Sequence, residues 1–361
     1  QRVAPGTDYR GHGGGDAPVR TLIIKTSSLG DVLHTLPAVT DAAAQCPGMR
    51  FDWVVEEAFA EVPGWHAAVD DVIPVALRRW RHRPFRVLRL GEPQAAVRRI
   101  RQREYDQVID AQGLMKSAVM TRFARGPRAG LDRRSAREAL ASYACDKRIP
   151  VARNLHAVTR VRQLFATALD YPLPDTAADY GIKANFTPGE RQPYLVFLHG
   201  TTWPTKHWPE PYWVQLTAMA SAAGLRVKIP WGNKAEHQRA ERIASASGAV
   251  EVLPRMTLSE LAAVIVSATA VVGVDTGLVH LAAALGTPCI TMYGATDPGL
   301  IGTLGESQAQ LRAAFPCSPC QQRICSYTGK SDVFPACYGT LDAHRVWAEL
   351  DKMLAEQSEQ Q

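Results

Sequence analysis

Val271-Val272-Gly273-Val274-Asp275-Thr276-Gly277-Leu278-Val279-His280-Leu281-Ala282-Ala283-Ala284 is the stretch whose reading decides the fold. A short β-branched run stops at an aspartate, a turn of small residues follows, and an alanine-rich helical pattern begins. A run apolar on both faces is the mark of a strand covered by helices on either side, so this is a strand–turn–helix unit of a parallel sheet. The amino end of such a helix presents backbone amides and the positive end of its dipole, a ready-made anion site. Thr276 and Gly277 let a phosphate approach closely, and His280, one turn further on, reaches the same anion; alone, a histidine on a helix is more often a packing residue.

The same grammar repeats outward from this unit. Downstream, Cys289-Ile290-Thr291-Met292 leads to the turn Tyr293-Gly294-Ala295-Thr296-Asp297-Pro298; upstream lie Tyr194-Leu195-Val196-Phe197-Leu198, Arg226-Val227-Lys228-Ile229 and Val250-Glu251-Val252-Leu253. Four further β-branched runs precede them, at 22–24, 53–55, 72–75 and 108–109, each followed by a helical pattern. Prolines and glycine at Pro172, Pro174, Pro188 and Gly189 punctuate the connection. The expected organisation is a flexible tail at 1–19, an α/β domain at 20–170, a linker at 171–192, a second α/β domain at 193–340, and a closing helix and tail at 341–361. Two doubly wound, Rossmann-like sheets facing each other leave a cleft with a ligand site on each wall.

Composition bounds the rest. The chain has 361 residues, 46% of them hydrophobic and 21% charged, enough for two packed cores. Its longest apolar stretch, 261–274, is broken by Ser267, Thr269 and Gly273 and falls short of the ~20 residues that a membrane-spanning helix needs. No Walker lysine motif and no Gly-x-Gly-x-x-Gly fingerprint follows a strand pattern, which argues against P-loop hydrolysis and nicotinamide chemistry. The first twenty residues lack the apolar core of a signal peptide, so the cytoplasm is the expected compartment. Cys46, Cys145 and Cys289 read as ordinary buried thiols. The net charge of +6 hides a segment, 78–103, that holds ten arginines against one acid, Glu92.

Two loops supply candidate chemistry. The first strand runs into Lys25-Thr26-Ser27-Ser28-Leu29-Gly30-Asp31-Val32, which places Asp31 at the amino end of a helix, as a cap of backbone amides or as a carboxylate facing the cleft. In the second half, His199-Gly200-Thr201-Thr202 and Lys206-His207-Trp208-Pro209 bring two hydroxyls and a lysine to strand ends, where the lysine is either a solvated loop residue or the counter-charge for a diphosphate.

These segments, together with Asp275-Thr276-Gly277 and His280, resemble the lipopolysaccharide heptosyltransferase family, glycosyltransferase family 9, over about 21–303. Phe51-Asp52-Trp53-Val54-Val55-Glu56-Glu57, Ile109-Asp110-Ala111-Gln112-Gly113-Leu114 and Asp297-Pro298-Gly299-Leu300-Ile301-Gly302 resemble most the heptosyltransferase I group within it. The resemblance implies a GT-B fold and metal-independent, inverting transfer of L-glycero-D-manno-heptose from ADP-heptose to the first Kdo of Kdo-lipid A. It implies Asp31 as general base and Lys206 as diphosphate ligand, with Asp275, Thr276, Gly277 and His280 in the donor site and Thr201, Thr202, Glu236 and Met256 lining it. A helix amino end lowers a carboxylate's pKa, so positioning must supply much of the rate.

The arginines then fit an acceptor carrying phosphates and carboxylates at an anionic membrane surface: Arg78, Arg79 and Arg81 are expected to contact it, with Lys25, Lys116 and Arg137 on the same wall. The enzyme is accordingly expected to be peripheral on the inner face of the inner membrane. Cys317-x₂-Cys320-x₄-Cys325-x₁₁-Cys337 departs from the heptosyltransferase I pattern and suggests a small structural zinc or iron site, reduced metal-free thiols being the alternative. That cluster looks more like the carboxyl regions of heptosyltransferase II, and distantly like the iron-holding motif of protein heptosyltransferases. A second core heptose or a protein serine therefore stands as an alternative acceptor. A nucleotide-sugar-binding protein without turnover is the rival from another class. Nucleic acid is not expected as a partner, since no aromatic–basic platform or helix-turn-helix accompanies the arginines.

Overall fold

Every hydrogen-bonded strand pair among the described residues is parallel, and the strands form two six-stranded sheets. The computed structural model describes residues 19–82, 90–189 and 193–359. Most of the expected tail, three of the expected arginines (Arg83, Arg86 and Arg89), and residues 190–192 and 360–361 lie outside the described residues.

The first sheet has the order β3-β2-β1-β4-β5-β6, built from β1 (Arg20–Ile24), β2 (Arg50–Glu56), β3 (Val69–Val75), β4 (Gln107–Asp110), β5 (Arg128–Leu131) and β6 (Lys147–Ile149). The second has the order β12-β11-β10-β7-β8-β9, from β7 (Tyr194–Leu198), β8 (Arg226–Ile229), β9 (Val250–Val252), β10 (Ala270–Val274), β11 (Cys289–Tyr293) and β12 (Gln308–Arg312). In each, strand order reverses beside a central strand, β1 or β7, which is where ligands collect in such sheets.

Helices cover both faces. Those that matter for the site are α1 (Leu29–Leu33) and α2 (Leu36–Gln45) after β1, α3 (Glu92–Arg101) before β4, and α4 (Met115–Phe123) after it. Then come α5 (Ala157–Leu169), α6 (Glu210–Ala222), α7 (Lys234–Ala244), α8 (Leu258–Val266), α9 (Gly277–Leu285) and α10 (Ala343–Glu359). The closing helix α10 buries Val346 and Leu350 in the core of the second domain, with Trp213 and Tyr338. None of the helices is long and apolar enough to cross a membrane, among the described residues.

One apolar core runs through both halves: Ile23, Leu33, Trp53 and Phe165 of the first sheet are continuous with Val196, Leu198, Val279 and Leu285 of the second. The join is tight where α1 meets α9. A Cβ added at Gly277 would lie 2.7 Å from Leu29 Cβ, and one at Gly30 would lie 3.1 Å from His280 Cδ2, so glycine on each helix lets the two helix starts touch. Both candidate loops therefore open onto one seam.

Candidate active site

The loop after β1 carries the carboxylate. Ser28 caps α1, which makes Asp31 the third residue of the helix and not its cap; its Oδ2 accepts from the Ser28 amide at 2.8 Å and from the Ser28 hydroxyl at 2.9 Å. The other oxygen, Oδ1, lies 3.6 Å from the Lys25 ammonium. The Asp31 side chain keeps 43% exposure, so the carboxylate is open to the cleft. The surrounding protein would raise the Asp31 carboxyl, but the Lys25 charge and the two Ser28 donors outweigh that and hold it below the usual carboxylate range.

Support for this loop comes from β4. The Gln112 Oε1 atom accepts from the amides of Thr26 and Ser27, at 3.0 and 3.1 Å, while Asp110 Oδ1 takes the amides of Gln112 and Gly113. Asp110 is buried, and burial raises its carboxyl despite those amides and Ser117. From beneath, Lys25 Nζ donates to Ala111 O, and Lys25 O accepts from Trp53 Nε1. Lys25 is thus packed under the base at 7% side-chain exposure. Lys116, at the first turn of α4, donates to the Ser27 hydroxyl.

On the opposite wall Asp275 directly follows β10 and is almost fully enclosed. Its Oδ2 binds Lys206 Nζ at 2.7 Å and accepts from the Thr296 hydroxyl at 2.6 Å; its Oδ1 faces His280 Nε2 at 3.9 Å. Burial would raise the Asp275 carboxyl, but His280 and the Lys206 ammonium beside it hold it far below the carboxylate range. Lys206 lies over the Trp203 ring, and its carbonyl accepts from the Tyr338 hydroxyl, which fixes the loop. Thr276 is the cap of α9, so the amides of that helix's first turn point toward the same place.

The remaining candidates surround this wall. The Thr201 hydroxyl donates to Asp275 O, Thr202 is exposed beside it, and Met256 is half-buried in the loop before α8. Glu236 accepts from the Gly232 amide, and its carboxyl group lies close against Gly200. Among the arginines, Arg79 is paired with Glu57 and Glu92, Arg99 with Asp71, and Arg103 with Asp52. The Arg78 guanidinium lies over Phe59, while Arg81 and Arg137 are exposed.

Cys317, Cys320, Cys325 and Cys337 line one small cavity with Phe315 and Tyr327, and all four are free thiols. Burial, with the neighbouring sulfurs adding, pushes the Cys337 thiol up to about 11. Among the described residues no group of three or more histidine, cysteine or acidic side chains is arranged to hold a metal ion. Of the three cysteines read as buried, Cys46 is only half-buried, because it caps the carboxyl end of α2.

Residues that the sequence did not single out complete the seam. His34, on the turn after α1, meets His280 with Nε2 and Nδ1 3.1 Å apart, and His156 stands edge-on to His34. Gln112 and Thr296 are the other two. Gln112 had a signal, its place just past a strand end; His34 had none.

Two facing Rossmann-like sheets, with an open carboxylate on one wall and a lysine-braced helix amino end on the other, define a GT-B glycosyltransferase. A family model described as "Glycosyltransferase family 9 (heptosyltransferase)" matches residues 94–330. The chain is 51% identical to "Lipopolysaccharide heptosyltransferase 1" of Pseudomonas aeruginosa over 93% of its own length and 98% of that protein's. The structure of "E. coli heptosyltransferase WaaC with ADP" superposes with a TM-score of 0.82 at 46% identity, covering 93% of this chain and 100% of that one. The same enzyme "with ADP-2-deoxy-2-fluoro heptose" gives 0.80 at 45%, covering 92% and 99%. The chain belongs to glycosyltransferase family 9, the heptosyltransferases.

Proposed function

We propose that this enzyme moves L-glycero-D-manno-heptose from ADP-heptose to the first Kdo sugar of Kdo-lipid A, inverting the anomeric carbon, in synthesis of the lipopolysaccharide inner core. The observation that carries the reading is the placement of Asp31 against the donor wall: the ring of His280, which faces Asp275, sits on Gly30, one residue before the base.

Inversion needs a single displacement. The acceptor hydroxyl gives its proton to Asp31 Oδ1 as its oxygen bonds to the anomeric carbon, and the bond from that carbon to the phosphate oxygen breaks with its electron pair leaving on ADP. Lys206, held by Asp275, and the amide end of α9 stabilise the charge that develops on the departing diphosphate. These groups are the counter-charge for the diphosphate, so the transfer proposed is metal-independent. Asp31 is a weak base by its lowered pKa, which leaves alignment of the acceptor as the larger contribution. Both complexes of the similar enzyme, one with ADP and one with a fluorinated ADP-heptose, support this donor. An acceptor carried by lipid places the enzyme peripherally at the cytoplasmic face of an anionic membrane.

The test is transfer from ADP-heptose to purified Kdo₂-lipid A read by mass spectrometry, with Asp31→Asn as control and a chelator in a parallel reaction. A product heavier by one heptose, insensitive to chelator and absent with the variant, is the expected result. Donor binding by calorimetry without product, but with transfer to a heptosylated core or a peptide, would move the acceptor.

A further inference from the structure

The outward face of α4 is more apolar than its inward face. Met115, Val119 and Phe123, at i, i+4 and i+8, are 44%, 53% and 38% exposed, whereas the helix buries Ser117 and Thr121 beside Ala118 and Met120. The adjoining 3₁₀ turn Ala139–Ala144 adds Leu140 and Tyr143, at 66% and 55% exposure. A continuous exposed apolar stripe on a water-soluble surface marks a contact site. Its borders are cationic: Arg98 and Arg101 line a groove with Phe123 between α3 and α4, and Arg122 is exposed on α4 itself. Arg79, Arg99 and Arg103 are exposed too, but are held in ion pairs with Glu57 and Glu92, Asp71 and Asp52, whereas Arg98, Arg101 and Arg122 border the stripe itself.

Position relative to the base gives the stripe its meaning. It starts at Met115, next to Lys116, whose ammonium donates to Ser27 in the loop that carries Asp31. A sugar acceptor that remains anchored by its acyl chains reaches Asp31 only if the bilayer lies beside this opening.

We propose that the stripe Met115–Val119–Phe123, with Leu140 and Tyr143, is the face by which the enzyme docks on an anionic lipid bilayer, its apolar side chains entering the headgroup–acyl boundary while Arg98, Arg101 and Arg122 meet lipid phosphates. This rests on the lipid-borne acceptor proposed above, and it is read without turnover. A stripe two turns long gives only weak binding by itself, so the arginine contribution is needed and the association falls as salt rises.

The experiment is co-sedimentation of the full chain with vesicles of phosphatidylethanolamine and phosphatidylglycerol, compared with phosphatidylcholine alone. Val119→Ser with Phe123→Ser is the variant, and its thermal melt checks that these exposed positions leave the fold intact. The expected result is salt-sensitive binding to the anionic vesicles, weakened on the order of tenfold in the variant. Transfer to a deacylated, water-soluble acceptor stays unchanged while transfer to vesicle-borne acceptor falls. Wild-type vesicle binding by the double variant, or no binding by the wild type, overturns the proposal; failure of transfer with vesicle binding intact would instead count against the proposed reaction.

Discussion

His34 and His280 join the two halves of the molecule: Nε2 of one and Nδ1 of the other are 3.1 Å apart across the seam, with the rings edge to face. His280 Nε2 faces Asp275 while its Nδ1 pairs with His34 Nε2, so a residue of the acceptor domain braces the ring of a donor-site side chain. Burial, together with His280 and His156 nearby, holds the His34 imidazole well below its ordinary pKa, which keeps it neutral at pH 7. His34→Phe keeps the volume and removes the hydrogen bond. One such bond is worth about 1.4 kcal/mol, a tenfold effect, and the loss is expected in kcat/KM for ADP-heptose with the melting temperature little changed. Steady-state kinetics with the donor varied reads this; unaltered kcat/KM would show that His280 needs no such support.

The close approach of Gly277 to Leu29 makes a second prediction. A methyl group at position 277 has 2.7 Å to the Leu29 Cβ, so Gly277→Ala must push α1 away from α9 and carry Asp31 with it. Overpacking of this kind costs about 1–3 kcal/mol, and a small displacement of the base costs turnover steeply. Leu29→Gly removes that Cβ and makes room for the methyl. The double variant is therefore expected to recover much of the kcat lost by Gly277→Ala, whereas a purely local effect on α9 would leave the second substitution without benefit.

How much of this was legible in sequence follows burial. Strands covered on both faces, such as β7 and β10, are unbroken apolar runs and stand out at their observed places. Three strands gave no such signal: β5 (Arg128–Leu131) is short and holds Gly130, β6 (Lys147–Ile149) is an edge with two exposed residues, and β12 (Gln308–Arg312) carries the polar residues of the other edge. Asp31, Lys206 and Asp275 were legible because strand ends in parallel sheets face the cleft, a local property. His34 was not, since the group that gives it a role lies 246 residues away. The same limit applied to the arginines, whose internal partners Glu57, Asp71 and Asp52 come from other loops and strands.

Buried neutral histidines set the acid side of stability. Burial pushes His66, His199 and His207 from 6.5 down to about 4, with Arg239 adding to the effect at the last two. Below pH 6.5 the unfolded chain takes up a proton at each of these sites that the folded chain refuses, so stability falls with falling pH until about pH 4, where the folded form also binds it. Each histidine contributes on the order of 1.4 kcal/mol per pH unit within that window. His66→Gln retains a partner for the Thr40 hydroxyl that lies 3.0 Å from His66 Nε2, and removes one titration. The drop in melting temperature between about pH 6.5 and pH 5 is expected to be smaller in this variant; an equal drop would mean that His66 titrates alike in both states.

The Lys206–Asp275 pair separates support from chemistry. Asp275 is 5% exposed at its side chain and Lys206 14%, so removing the lysine alone leaves an enclosed carboxylate with the Thr296 hydroxyl and His280 as its remaining partners. Lys206→Met is expected to destabilise the fold by about 3 kcal/mol, the cost of leaving a buried charge without its counter-ion, and to abolish donor binding. Adding Asp275→Asn takes away the stranded charge and keeps an oxygen for Thr296, so the double variant should regain most of that stability. Activity should not return, because the double variant has no cation to meet the departing diphosphate. Thermal denaturation and ADP-heptose titration of the wild type, both single variants and the double form a closed cycle that tests this. Recovery of stability without donor binding is the expected pattern; donor binding regained in the double variant would show that Lys206 serves only to hold Asp275, and that the helix end of α9 holds the diphosphate by itself.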